Sequence, residues 1–305
     1  MDIGEMILKL LVPILEILAP IIPGEIFPYF FTMEMLQRSL IAAFLITIVS
    51  GFLGIFLLIR NLALIGDGLA HVSFGAVALS IVFGYASELQ MALFLSIISA
   101  IIIYELQVRE ILTGDASIAI FLTGMLALGL VSLRVWGGGV TNDVESYLFG
   151  NLLLIDKKSF NLICIVSIVS LVFLFFSHKA LLITSIDPLA AQVQGIPVRM
   201  TGLAFSIVTA ATVVSMVQVM GALLVTALLV TPSATSQLVS SSYRSSFMWS
   251  QFFGLSSVLL GLYYSAELEA GSGAMIALVS AIIFGSVAIF QLILRPFIFS
   301  FDNVN

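Results

Sequence analysis

The constraint that dominates this chain is a succession of apolar runs, each about 20 residues long, joined by short polar connections. About 20 apolar residues is what a helix needs to cross the hydrocarbon of a bilayer. Such runs fall at approximately 35–59, 62–85, 89–108, 115–135, 159–178, 200–219, 221–240, 246–265 and 274–294. Only 9% of the residues are charged and 61% are hydrophobic, whereas a soluble domain carries about 25% charge. Water therefore cannot be the solvent for most of the exterior. The expected fold is an all-α integral membrane protein, a polytopic bundle of about 8–9 transmembrane helices. The runs 200–219 and 221–240 meet at Met220–Gly221 with no connection between them, so one is expected to be short or broken. A further run, 6–22, is short, contains Glu16 and ends in Pro20 and Pro23. It lies at the interface or crosses obliquely.

This divides the chain into an N-terminal extension, 1–34, a transmembrane domain, 35–295, and a tail, 296–305. No polar stretch is long enough for a separate soluble domain. Met1 to Glu5 carries acids where a secretory signal has positive charge, so no cleavable leader is read there. The net charge of -6 comes from acids in the connections and near the N-terminus, and nothing points to nucleic acid. Cys164, the only cysteine, sits inside an apolar run and reads as a small core or lipid-facing residue.

Orientation follows from lysine and arginine, which favour the cytoplasmic side. With the connection 179–199 in the cytoplasm, Arg60, Arg109, Lys179, Arg199, Arg244 and Arg295 all fall inside. Arg38, Arg134, Lys157 and Lys158 fall outside, with Glu88, Asp143, Glu145, Glu267 and Glu269. The C-terminus is then cytoplasmic, and so is the N-terminus if 6–22 crosses. Trp136 to Asp156, with its triple glycine, reads as an outer loop plus a partial helix.

Polar residues at membrane depth are costly and mark function. In Gly66-Asp67-Gly68-Leu69-Ala70-His71, Asp67 and His71 stand four apart and share a helix face. An imidazole with a carboxylate suits zinc, manganese or iron, and a symmetric dimer would bring two such pairs to one axis. The plainer alternatives are that Asp67 caps the helix start and that His71 bonds a neighbouring helix. In Asp187-Pro188-Leu189-Ala190-Ala191-Gln192-Val193-Gln194-Gly195, Asp187 is an N-cap, Pro188 a first helical residue and Gly195 a helix end. This short helix is a plain connector or a docking element for a cytoplasmic motor. Pro232, among Thr226, Thr231, Ser233 and Thr235, predicts a kinked and tightly packed helix. Asp115 and Ser117 suggest an N-cap or an interface role, Glu105 and Arg109 an ion pair at the inner boundary, and His178 a solvated side chain. None of the four lysines follows a glycine, so a phosphate-binding Gly-Lys loop is absent and any ATP is hydrolysed by another chain.

Taken in order, these blocks resemble the zinc/manganese/iron-type ABC transporter permeases. The signature is carried by Leu64 to His71. It continues through Asp115 to Ile120 with Ala127-Leu128-Gly129, then Ser146 to Asn151 and Asp187 to Gly195, and ends with Val219 to Pro232 and Gly271 to Ile276. The resemblance implies a permease subunit of an ATP-driven importer of divalent transition-metal ions, with no permanently bound cofactor, in the cell membrane. It implies a second copy of the chain, cytoplasmic ATP-binding cassette subunits and an extracytoplasmic metal-binding protein. It places the metal at Asp67 and His71. It places the ATPase contact at Asp187, Ala190, Ala191 and Gly195, and a gating helix around Gly221 and Pro232. Leu189 stands where such coupling loops often carry glutamate. Met1 to Glu34 has no counterpart in the pattern. A stand-alone secondary or proton-coupled carrier, using Asp67 and His71 as a relay, is the alternative of a different class. A non-transporting scaffold gives no reason for that pair.

Overall fold

Hydrocarbon offers a backbone amide no water, so each crossing must pair its own N–H and C=O groups, which a helix does within one segment. The computed structural model describes residues 2–85, 87–137, 147–148, 150, 155–222 and 224–302, and every regular element among them is helical. In chain order these are α1 (Ile3–Leu18), α2 (Tyr29–Thr32), α3 (Glu34–Ile59), α4 (Ile65–Phe83), α5 (Glu88–Val108) and α6 (Gly114–Val135). They continue as α7 (Lys157–Ile186), α8 (Pro188–Val193), α9 (Val198–Met220), α10 (Val225–Leu229), α11 (Thr231–Val239), α12 (Tyr243–Glu267) and α13 (Ser272–Asp302).

Among the described residues seven helices, α3 to α7, α9 and α13, are long and apolar enough to cross a membrane. α12 matches them in length with 25 residues, but its serines, Gln251 and tyrosines make it more polar. The run 221–240 is not one continuous span. Gly221, at φ 83°, ends α9, and the helix resumes as the short pair α10 and α11. The run 159–178 is too short as read, because α7 continues to Ile186 and delivers the chain directly into α8. α1 runs 16 residues to Leu18, about 24 Å, and a 3-10 turn over Ala19–Ile21 adds about 6 Å, so length does not by itself exclude a crossing of the roughly 30 Å hydrocarbon layer. Most of the expected outer loop, residues 138–146, 149 and 151–154, lies outside the described residues.

α3, α4 and α9 form the inner layer. Most residues along α3 and α4 are buried, whereas few of those described in α13 are. α4 packs against α5, α6 and α9, while α3 packs against α7 and α12. Small residues permit this, since lipid supplies no hydrophobic drive between helices and close contact must do the work. A Cβ on Gly129 would stand 3.0 Å from the Gly75 Cα, so α6 and α4 meet backbone to backbone. Several of the buried hydroxyls turn back on their own helices. Thr47 donates to the Ala43 carbonyl at 2.6 Å and Thr209 to that of Phe205 at 2.8 Å, which removes the penalty for burying them unpaired.

The two ends of the bundle are marked by charge. At the end carrying α8, Glu105 pairs with Arg109 at 3.2 Å, as its spacing predicts, and with Arg199 at 2.7 Å. At the opposite end Glu34 lies 3.8 Å from both Arg38 and Lys157. His178 lies within α7, half-buried, against the Phe175 carbonyl at 2.6 Å, and Cys164 is buried.

Candidate functional site

α4 begins at Ile65, so Asp67 is the third residue of its first turn and does not cap it; Leu64 holds the cap position. The carboxylate instead lies along the helix toward His71, with Oδ1 3.6 Å from Nε2. That is too long for a hydrogen bond. His71 is 8% exposed, whereas the Asp67 side chain retains 34% exposure. Among the described residues the buried Nδ1 of His71 has no hydrogen-bond partner, so no neighbouring helix satisfies it. The flanking glycines are explained by what presses on them. A Cβ at Gly66 would stand 2.7 Å from Leu229 of α10, and one at Gly68 2.6 Å from Ile118 of α6. Asp67 is thus held between two helices packed so closely that only glycine fits on either side of it. Among the described residues no third His, Cys, Asp or Glu joins the pair.

α10, which packs on Gly66, descends from the break at Gly221. Three glycines converge there. A side chain on Gly150, from the loop after α6, or on Gly273, at the start of α13, would collide with the Met220 backbone. The Ala222 N–H donates to the Tyr147 carbonyl at 3.1 Å, and the Tyr147 hydroxyl pairs with Ser73 of α4 at 2.8 Å. Pro232 opens α11, and Val230, still in right-handed helical conformation with its N–H on the Thr226 carbonyl at 2.9 Å, joins α10 and α11 as one kinked helix over Val225–Val239. The hydroxyls near it fold onto local carbonyls, Thr235 to Thr231 at 2.7 Å and Ser236 to Ser233 at 2.7 Å.

α8 carries the capping its sequence predicts. Asp187 accepts from the N–H groups of Leu189 and Ala190, both at 2.9 Å, and Pro188 occupies the first turn. Gly195 has φ 78°. Its N–H donates to the Gln192 carbonyl at 2.9 Å and that of Ile196 to Ala191 at 3.0 Å, closing the helix. Ala191 is fully buried and Ala190 half-buried, so this face seats α8 on the bundle. On the outward face Leu189 is 73% and Val193 91% exposed, one turn apart. Asp115 does not cap α6; Thr113 does, accepting from Ala116 at 3.4 Å.

Two further residues were not legible as special. Arg60, read only as an inner-side cation, is half-buried between α7 and α9. It donates to Ser185 at 2.7 Å and Thr184 at 3.0 Å and lies 4.6 Å over the Phe205 ring. It lines a cavity of about 820 Å³ with Leu62, Gly114, Pro188 and Gln192, beside α8 and the start of α6. Glu267, read as an acid at the outer mouth, is engaged by backbone. Its carboxylate accepts from Glu25 at 3.2 Å and from Ile26 and Phe27 at 3.0 Å.

Residues 32–291 match the model of the ABC 3 transport family. The manganese transport system membrane protein MntC of Halalkalibacterium halodurans is 31% identical, over 84% of this chain and 87% of that protein. The high-affinity zinc uptake system membrane protein ZnuB of Haemophilus influenzae is 30% identical, over 82% of this chain and 95% of that one. Among solved structures, PsaBC from Streptococcus pneumoniae in complex with Fab superposes with a TM-score of 0.72 at 31% identity, covering 83% of this chain and 90% of its own.

Proposed function

The chain belongs to the ABC 3 transport family, and we propose that it moves a divalent transition-metal ion, manganese, zinc or iron, along a route lined by Asp67 and His71. The observation that carries this reading is the buried imidazole nitrogen without a partner, one turn from a carboxylate that retains access. A buried polar atom left unsatisfied is costly, and in a membrane helix it marks a pathway. Imidazole and carboxylate are ligands for borderline divalent ions. Two ligands from one chain leave a shell open, which a second copy of the chain would fill on a shared axis. Few ligands per protomer also let the ion leave.

The α8 end is cytoplasmic in this reading, because Arg60, Arg109 and Arg199 gather there. Leu189 and Val193 offer an ATP-binding cassette subunit an apolar pair on a rigidly capped helix. That exposed pair favours a motor-driven importer over a carrier working alone. The opposite end receives the ion from an extracytoplasmic binding protein, and the packed junction of Gly150, Gly221 and Gly273 gates entry. The decisive experiment is ATP-driven uptake of labelled manganese and zinc by proteoliposomes holding the complete complex. His71→Ala is expected to bring uptake to background while the variant still assembles with its ATPase. Wild-type uptake by that variant would remove His71 from the route.

A further inference from the structure

The segment before α3 is tied to the bundle end opposite α8 at two places. Near its beginning the Gly4 N–H donates to Asn161 Oδ1 at 3.0 Å, and a Cβ at Gly4 would stand 3.0 Å from the Phe160 ring. Near its close the Glu267 carboxylate holds Glu25 to Phe27, and Phe27 meets Tyr263 edge-on at 5.5 Å. Between these anchors α1 presents three faces at helical spacing. Gly4, Leu8, Leu11 and Leu15 turn toward the bundle. Met6, Leu10, Ile14 and Ile17 form an exposed apolar face. Glu5, Lys9 and Glu16, all exposed, form a narrow charged stripe that runs from the first turn to the last.

We propose that α1 does not cross the bilayer but lies in the plane of its extracytoplasmic interface. The face of Met6, Leu10, Ile14 and Ile17 enters the outer-leaflet acyl chains, and Glu5, Lys9 and Glu16 stay in the headgroup layer. A helix running down through the bilayer would carry Glu16 into hydrocarbon without a partner for its charge. An axis parallel to the surface keeps the whole stripe wet and the whole apolar face dry, the arrangement of an interfacial helix. Lipid is the occupant because α1 packs on α7, whose own exposed Ile165, Ile168 and Val169 face the same hydrocarbon. The sidedness rests on the orientation given under Proposed function; the in-plane placement does not.

The test is cysteine accessibility in the assembled complex. Single cysteines are placed in a Cys164→Ala background and treated with a membrane-impermeant maleimide in right-side-out and inside-out vesicles. All positions used are exposed, so each substitution spares the packing. Glu5→Cys, Lys9→Cys and Glu16→Cys are expected to label in right-side-out vesicles. Leu10→Cys, Ile14→Cys and Ile17→Cys are expected to react about tenfold or more slowly, because hydrocarbon suppresses the reactive thiolate. The same alternation confined to inside-out vesicles would overturn the sidedness and the orientation together, and leave the helix in the plane. Labelling at Glu5→Cys that fails at Glu16→Cys, equal rates on both faces, or silence at all six positions would overturn the in-plane helix.

Discussion

Replacing Arg60 by methionine should loosen the connection between ATP hydrolysis and ion movement. Ser185 and Thr184, which Arg60 grips at 2.7 and 3.0 Å, stand in the last turn of α7 just before Asp187 caps α8. Arg60 itself directly follows α3 and opens the turn into α4, which carries Asp67. One guanidinium thus joins the α8 end of the bundle to the helix of the candidate metal site. Both hydroxyls also donate to the Leu181 carbonyl, at 2.6 and 3.1 Å, so removing Arg60 strands neither of them. What is lost is two hydrogen bonds from a charged donor, about 1.5–3 kcal/mol each, and the ring contact, about 0.5–1 kcal/mol. What is regained is the desolvation cost of a half-buried charge, several kcal/mol. The two sides largely offset, so stability should change by no more than about 2 kcal/mol, and methionine fills the space of the stem. Reversible unfolding in mixed micelles measures the stability. Metal delivered per ATP hydrolysed, in proteoliposomes, measures the coupling. The variant is expected to hydrolyse ATP while delivering less metal per cycle. Arg60→Lys restores charge but not the planar fork and should recover only part. Wild-type metal per ATP in Arg60→Met would refute the reasoning.

Gly68→Ala sets a methyl 2.6 Å from the Ile118 Cγ2 and should destabilise by about 1–3 kcal/mol through overpacking; Ile118→Ala in the same chain should restore part of it in the same unfolding assay. Asp187→Ala removes the acceptor for two N–H groups of α8 and should cost that helix about 1 kcal/mol, seen as weaker binding of the ATPase subunit. Glu267→Ala frees the amides of Glu25, Ile26 and Phe27, whose hydrogen exchange should quicken relative to those of α12; unchanged protection would show that the carboxylate does not hold the segment.

What could be read from the sequence was whatever local chemistry determines. Asp187, Pro188 and Gly195 announce α8 because capping needs no partner beyond a few residues away. The break at Gly221 was legible because two spans cannot meet without a connection unless one is interrupted. The pair Asp67 and His71 was visible because four residues make one helical turn, but its isolation from other ligands required the packed bundle. The cap of α6 was misplaced because Thr113 and Asp115 are both good cap residues two positions apart, and only the backbone chooses Thr113. The reach of α7 was underestimated because His178 and Lys179 look like an ending and are instead carried on a continuing helix. Arg60 and Glu267 were opaque for a different reason. Their partners lie 125 and 242 residues away along the chain, and nothing in the neighbouring sequence names them. The glycines at 66, 68, 150 and 273 were equally mute, because each is there for a neighbour that only the fold supplies.

α7 spans Lys157–Ile186 without a proline or a glycine. Its 30 residues make an unhinged rod of about 45 Å. One extremity abuts the element offered to the motor, and the other holds Asn161, to which α1 is fastened. Such a rod acts as a lever: each degree of tilt imposed at the cytoplasmic extremity sweeps the far one sideways by about 0.8 Å. If an ATPase works on α8 as proposed, its stroke is worked against whatever α1 is embedded in. Stiffening the outer leaflet with sterol-like or saturated lipid would then load the machine mechanically and slow it, with no change at Asp67 or His71 themselves.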